Sequence, residues 1–447
     1  MFFCGQIEKC EGNYEMDYEV LSEMLPLGRQ GEMVLGLQTT KDLMEVLGDP
    51  QDKVPIIHVA GTNGKGSTSK IMATILQEAG YKVGLYTSPS LYEFNDRIRI
   101  NNENISDEDI MEFAVDIRNH VLNTNLYFTE FELYTALAWM AFDKYEVDVA
   151  IIETGIGGRL DATNIIQSPL VSVITKLAYD HQDVLGDTIE EIAGEKAGIM
   201  KPGSPVVYYP SEEAAVDVIV ARAEELGSSK RTVDIDALEY KLNNNRTQDF
   251  VYKGETYTIQ LLEAHQIYNS CIAIEVMNTL NDLGGWSISK KAVKAGLEKT
   301  VWEGRFEWVH ENPDIIIDGS HNIDGVTGLT ENLLRYFPGQ PRIGIVGMLG
   351  DKEFKPALSV IAPHFDLILT VQPDSDRALS SDDMKQVIID MGFLPEEKII
   401  SLGKDYRKAL ETALEKTETD MEDAMICVFG SFYYVGDVRQ LILQSKG

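Results

Sequence analysis

The stretch His58-Val-Ala-Gly61-Thr62-Asn63-Gly64-Lys65-Gly66-Ser67 decides how the rest of the chain is read. Upstream, Val54 to Ala60 is an apolar, β-branched run of strand character. Downstream, Ile71, Ile75 and Ala79 fall on one face of a predicted helix. The glycines between them let the backbone curl so that consecutive N–H groups converge on an anion at a helix N-terminus. Lys65 adds a point charge that reaches outer phosphates. The strict G-x-x-x-x-G-K-[ST] spacing fails, because Val59 stands where its first glycine belongs and Gly66 follows the lysine. The strand–loop–helix context is nevertheless the one a phosphate loop requires. The competing reading is a glycine turn that holds no ligand.

Outward from this loop, short β-branched runs alternate with helical segments. Val83–Thr87, Val147–Glu153 and Leu170–Thr175 read as further strands, which predicts a parallel sheet covered on both faces. A second series follows at Ile315–Asp318, Arg342–Gly347, Leu367–Val371 and Met425–Phe429. Between the series, Glu298 to Arg305 is the expected connection, and Asp234–Ile259 is expected to form a hairpin or loop excursion within the first domain. The expected organisation is α/β, with residues 1–300 forming a nucleotide-binding domain and residues 301–447 a smaller α/β domain.

The length of 447 residues suits two or three domains at roughly 150 residues each. Hydrophobic residues are 44% and charged residues 25%, which excludes a disordered or collagen-like chain. A net charge of −33 repels nucleic acid and anionic membrane, so neither is an expected partner. The same charge means that a polyanionic ligand must be held by local cations, backbone amides or a metal. Cys4, Cys10, Cys271 and Cys427 form no CxxC pair, as in a reduced cytosolic protein. Met1 to Tyr14 lacks a basic segment followed by an apolar run, and no apolar stretch approaches 18 residues. A cytoplasmic location is expected.

Three side chains stand out near the strand ends. Glu153 closes an apolar run, where a sheet delivers a side chain to the ligand edge, and its carboxylate suits a hard cation such as Mg²⁺. A glycine-rich loop from Gly155 to Asn164 follows it. His181, after the next strand, is by itself more often a structural histidine; Glu153 makes it a ligand candidate. Lys196 shares a helix face with Ile189, Ile192 and Ala193, in a helix expected to begin with a capping box of Asp187 and Glu190. A lysine on a core-facing stripe is desolvated and becomes a neutral amine more readily. Its alternative is to snorkel to water or to pair with Glu195 or Asp180.

Taken together, these residues resemble the folylpolyglutamate synthase family, including its bifunctional dihydrofolate synthase form, in the Mur ligase superfamily. The resemblance spans roughly residues 35 to 440. It implies a Mur-ligase-like ATPase domain with a parallel-type sheet, followed by a Rossmann-like C-terminal domain. It also implies ATP contacts at Gly61, Thr62, Asn63, Gly64, Lys65, Gly66 and Ser67, and at Asn269, Arg305 and Asp318. Thr87-Ser88-Pro89 is similar to the loop whose serine holds magnesium, with Glu153 and His181 as the other ligands. Thr129-Glu130-Phe131-Glu132 and Leu160-Asp161-Ala162 are similar to pterin-contacting segments, and Ser431 to a residue near the incoming glutamate. Ala193 to Ile199 is similar to the segment whose lysine is carbamylated, which would make Lys196 a further metal ligand. Lys65, Lys196 and His321 become the catalytic candidates. Departures from the usual pattern are Ser90 for histidine, Glu303 for proline and Glu263 for glycine.

The implied reaction is ATP- and Mg²⁺-dependent joining of L-glutamate to a folate carboxylate through an acyl phosphate, with a monovalent cation as an additional candidate. Addition to tetrahydrofolate, addition to dihydropteroate, or both, fit the motifs equally, and a monomer is sufficient. The rivals are another Mur-type amino acid ligase, a P-loop NTPase without ligase activity, and a binding protein.

Overall fold

The computed structural model describes residues 18–28, 36–350 and 354–444; Cys4, Cys10 and the Met1–Tyr14 segment lie outside them. The strand beneath the quoted loop, β1 (Ile56–Ala60), is buried along its whole length. It lies inside a sheet built from β2 (Val83–Tyr86), β3 (Ile98–Ile100), β4 (Glu103–Asn104), β5 (Val149–Glu153), β6 (Val171–Ile174), β7 (Val206–Tyr208) and β8 (Lys230–Thr232). The strand order is β4-β3-β2-β5-β1-β6-β7-β8. The run from β2 to β8 is parallel, and β3 and β4 add an antiparallel edge. Because β1 is flanked by β5 and β6, the phosphate loop, Glu153 and the segment after Ile174 all emerge at one sheet edge. This is the crevice where open parallel sheets bind ligands.

Both faces of this sheet are covered. One face packs Ile57, Val59, Val149 and Ile151 against Ile71, Ile75 and Leu76 of the helix Lys65–Glu78 and Ile272 and Val276 of the helix Ala264–Leu283. The other packs Ile56, Ala150 and Ile152 against Leu133, Leu137 and Trp139 of the helix Glu130–Lys144. The Asp234–Ile259 excursion contains a hairpin, β10 (Gln248–Tyr252) and β11 (Glu255–Ile259), extended by a third antiparallel strand, β9 (Leu238–Tyr240). Its third strand arises because Tyr240 pairs back onto Phe250.

The second series forms its own sheet from β12 (Glu307–His310), β13 (Ile315–Asp318), β14 (Arg342–Val346), β15 (Leu367–Thr370), β16 (Ile399–Ser401) and β17 (Met425–Phe429). Its order is β12-β13-β17-β14-β15-β16, parallel except at β12. Thr300 to Phe306 joins the two halves. In this connection Trp302 lies 5.8 Å from Lys70 Nζ and 5.2 Å from the Arg99 guanidinium, while Glu303 pairs with Arg99 at 3.5 Å.

The helix bearing Lys196 runs Ile189–Ala197 and starts one residue later than expected. Thr188 is the N-cap: its hydroxyl accepts from Glu191 N at 3.2 Å, and Glu191 returns a carboxylate to Thr188 N at 3.1 Å. Asp187 and Glu190 therefore do not form the capping box. Threonine in the capping position selects the register.

Candidate active site

A cavity of about 810 Å³ opens at the edge where β1, β5 and β6 end, and the second half of the chain supplies its opposite wall. Ser320, His321 and Asn322 line it from beyond β13, and Gly430 to Tyr433 from beyond β17.

The phosphate loop is pinned from behind. Thr62 N and Asn63 N both donate to Lys176 O, at 3.0 and 3.1 Å, and Thr62 Oγ1 donates to Ala178 O at 3.0 Å. Gly61 must lack a side chain, since a Cβ there would lie 1.8 Å from Thr175 Oγ1. Gly64 has φ +85°, and a Cβ would lie 2.5 Å from Asn269 Oδ1. Only glycine combines that conformation with that proximity. Gly64 also caps the Lys65–Glu78 helix without a side-chain hydrogen bond, so the first-turn amides face the cavity edge. Lys65 Nζ folds back to Thr62 O at 3.3 Å.

Ser88, Glu153 and His181 all line the cavity. Glu153 is 3% exposed and accepts from Ser88 N at 3.2 Å. Burial pushes its carboxyl up to about 7, against the pull of Lys65, the Ser88 amide and Arg305. His181 adopts a left-handed conformation, φ 50°, at the start of a one-turn helix, with Nε2 3.9 Å from Asp180 Oδ2. Among the described residues, no group of three or more His, Cys, Asp or Glu side chains is gathered to hold a metal. The Glu153 carboxylate and the Ser88 hydroxyl are oxygen donors of the kind Mg²⁺ takes, and His181 adds a nitrogen donor on the same wall. That ion characteristically takes one or two carboxylates and completes its shell with water and substrate phosphates. Glu153 keeps acceptor capacity for this, having one backbone donor.

Lys196 stands one layer behind the wall. It is 4% exposed and donates from Nζ to Gly61 O at 2.8 Å, rather than snorkelling or pairing with Glu195, which is held by Arg159. Burial, then the nearby Lys65 charge, lowers its ammonium to about 7, with Asp180 and Asp161 pulling the other way.

The pterin candidates lie along another stretch of the wall. Thr129 and Glu132 form a capping box, with Thr129 N donating to Glu132 Oε2 at 2.8 Å and Glu132 N to Thr129 Oγ1 at 3.3 Å. Glu132 also accepts from Thr40 Oγ1 at 3.0 Å. Glu130 accepts from the Tyr134 hydroxyl. Phe131 packs at 6.1 Å on Tyr86. Asp161 organises its own loop, accepting from Gly155 N, Ile156 N and Thr163 N at 2.9, 3.1 and 3.0 Å. Leu160 and Ala162 flank it on the wall. Arg97, which lies over the Tyr134 ring at 4.6 Å and also lines this wall, was not foreseen.

On the opposite side, Asn269 donates to Gln266 Oε1 at 2.9 Å, and Gln266 Nε2 donates to Ser67 Oγ at 3.3 Å. Arg305 stacks on Phe432 at 4.5 Å, and Ser431 is a buried part of the same wall. Asp318 does not reach the cavity. It accepts from Phe306 N and Ser320 N, both at 2.7 Å, and is pushed up to about 6 by burial and by Glu263, against Arg305. His321 is on the wall, with Nδ1 2.9 Å from Gly319 O. Sequence reasoning also missed a clasp between the halves: Asp324 accepts from Lys176 Nζ at 2.5 Å and from Asn63 Nδ2 at 2.8 Å. Those partners lie 148 and 261 residues away in sequence, beyond any local pattern.

A phosphate loop on a parallel sheet, closed by a second α/β half, defines an ATP-dependent ligase of the Mur type, and the similarities agree. Residues 59–277 match the Mur ligase middle domain, and residues 304–432 match the Mur ligase glutamate ligase domain. The chain is 36% identical over 417 residues to the dihydrofolate synthase/folylpolyglutamate synthase of Bacillus subtilis, covering 91% of this chain and 94% of that one. It is also 36% identical to the folylpolyglutamate synthase of Lacticaseibacillus casei, over 90% and 94% of the two chains. A solved folylpolyglutamate synthase in complex with AMPPCP and folate superposes with a TM-score of 0.80 at 31% identity, over 96% of this chain and 100% of that one. The chain belongs to the folylpolyglutamate synthase/dihydrofolate synthase family of the Mur ligase superfamily.

Proposed function

We propose that this protein joins L-glutamate to the γ-carboxylate of a reduced folate at the expense of ATP, and that the same cavity accepts dihydropteroate. The observation that carries the reading is the convergence of the phosphate loop, Glu153 and the pterin-side residues on one cavity closed by the second half of the chain. The Bacillus subtilis relative, named for both activities, supports the wider substrate range. We take residues 1–300 and 301–447 as the two domains, acting as a cytoplasmic monomer on small molecules only.

The chemistry begins with two anions, a substrate carboxylate and a triphosphate. Backbone amides at the start of the Lys65–Glu78 helix, together with Lys65, hold the phosphates and offset the repulsion. A carboxylate oxygen attacks the γ-phosphorus, the bond to the β,γ-bridging oxygen breaks, and an acyl phosphate and ADP result. The neutral amine of glutamate then attacks the acyl carbon and inorganic phosphate leaves. Ser88, Glu153 and His181 would hold Mg²⁺, which neutralises charge on the phosphate oxygens when bound. Lys196 supplies a desolvated amine of the kind that adds CO₂, and its carbamate would contribute a further anionic oxygen beside that site. Arg305, Asn269 and His321 position the nucleotide, and Ser431 the incoming glutamate. Closure between the two halves keeps water from the acyl phosphate.

The test is L-glutamate-dependent ADP release with Mg²⁺, run separately with tetrahydrofolate and with dihydropteroate. Release with both is expected. Release with tetrahydrofolate alone would remove the dihydrofolate synthase part, and release indifferent to glutamate and pterin would return the protein to a simple NTPase.

A further inference from the structure

At one end of the cavity, the start of the helix Ala264–Leu283 faces the helix Ile323–Tyr336. Glu263 and Asn332 both line the cavity here, at 1% and 3% exposure. Each carries a buried polar atom with no hydrogen-bond partner, Glu263 Oε1 and Asn332 Nδ2. The other atoms of both groups are engaged. Glu263 Oε2 lies 3.4 Å from both Gln266 Nε2 and His265 Nε2. Asn332 Oδ1 accepts from Arg335 Nη2, which also donates to Leu262 O at 2.9 Å. Arg335 thus ties the two walls together and fixes the Asn332 amide, so that its NH₂ is the group left over. Buried groups of this kind are expensive to leave unpaired. They mark a place where a ligand with matching groups gains the most.

We propose that Glu263 and Asn332 read the six-membered edge of the nucleotide base and select adenine; this rests on the ATP reading above. An ionised carboxylate only accepts and an amide NH₂ only donates. Adenine presents an amine beside ring-nitrogen acceptors, which complements that pair. A 6-oxo purine presents a carbonyl and an N1–H, which places acceptor against acceptor and donor against donor. Burial pushes the Glu263 carboxyl up to about 7, and the Arg305 charge, the Gln266 contact and the Arg335 charge pull it back towards the ionised form. Glu263 occupies the position noted above as departing from the usual glycine, so this base contact is a property of this chain rather than of the phosphate loop.

The experiment compares kcat/KM for ATP and for inosine triphosphate in folate- and glutamate-dependent turnover. It is run on the unaltered protein, on Glu263→Gln and on Asn332→Ala. The unaltered protein should prefer ATP. Glu263→Gln should reduce that preference by about tenfold to a hundredfold, the range for losing a hydrogen bond to a charged group. Asn332→Ala should reduce it less. Both effects should fall on the nucleotide KM, with the KM for glutamate unchanged. The two variants lie on different helices, so misfolding of one leaves the other informative. An ATP preference unchanged in a folded variant that still ligates would overturn the proposal. So would a change confined to discrimination against 2′-deoxy-ATP, which would assign Glu263 to the sugar. No nucleotide-dependent ligation by the unaltered protein would sink the ligase reading itself, and this inference with it.

Discussion

Two lysines in the first half of the chain are buried to nearly the same degree, Lys196 at 4% and Lys70 at 6% exposure, and burial lowers both. Lys70 comes to about 8 and Lys196 to about 7. Their surroundings make the difference. After burial, the Arg99 charge lowers the Lys70 ammonium further and Glu303 raises it, while the Trp302 ring beneath it favours the cation. Lys196 donates to a backbone carbonyl of the phosphate loop and feels the like charge of Lys65. Burial by itself therefore does not mark a reactive amine. What separates the two is position: Lys196 Nζ is bonded to the phosphate loop at Gly61 O, whereas the Lys70 ammonium lies over the Trp302 ring.

The largest expected effect tests that contrast directly. Lys196→Met should lower kcat of glutamate-dependent ADP release by about a hundredfold or more, comparable to losing a preorganised charge-stabilising group. Lys70→Met should stay within about threefold in kcat, since Lys70 does not line the cavity. Equal losses in the two variants would break the comparison.

The next effect is on stability, measured as the denaturant midpoint in CO₂-free buffer. Between about 7 and 10.5 the unfolded chain binds a proton at Lys196 that the folded chain does not, so this lysine destabilises the fold most at and below pH 7. Stability of the unaltered protein should accordingly rise with pH across that window. The advantage of Lys196→Met should be greatest at pH 7 and vanish near pH 10.5. The corresponding advantage of Lys70→Met should be smaller, because its window opens only at about 8.

The smallest expected effect concerns the ring. Trp302→Leu should cost about 1–2 kcal/mol through the lost cation–π contacts of Lys70 and Arg99, with little change in the KM for glutamate. A large loss of activity with unchanged stability would mean that the Trp302 ring itself takes part in positioning the site.

The legible part of this molecule was its inner strands and its loops at sheet edges. β1, β2, β5, β6, β13, β14, β15 and β17 are buried on every residue and read as apolar runs. The phosphate loop was legible because its glycines answer to local geometry. β8, Lys-Arg-Thr, and β4, Glu-Asn, were not, since only pairing with a neighbour makes such polar pieces strands. Helical spacing placed Lys196 on a core-facing stripe but favoured a lysine that snorkels or pairs; the family resemblance made it a functional candidate. Lys70 sits in a helix so thoroughly covered that no polar face stands out around it. Glu263 was visible as a departure, but not the Asn332 and Arg335 across from it, which only the packing of two distant helices brings together.

The clasp at Asp324 carries one more consequence. It grips Lys176 and Asn63, and Asn63 belongs to the phosphate loop itself. A swing that separates the halves must break the Asp324 hydrogen bond to Asn63, so opening the cleft and altering the phosphate loop share one contact. With side chains about a third exposed, the Lys176–Asp324 pair is open to screening by ions. Salt therefore reaches a contact that lines the same cavity as the phosphate loop.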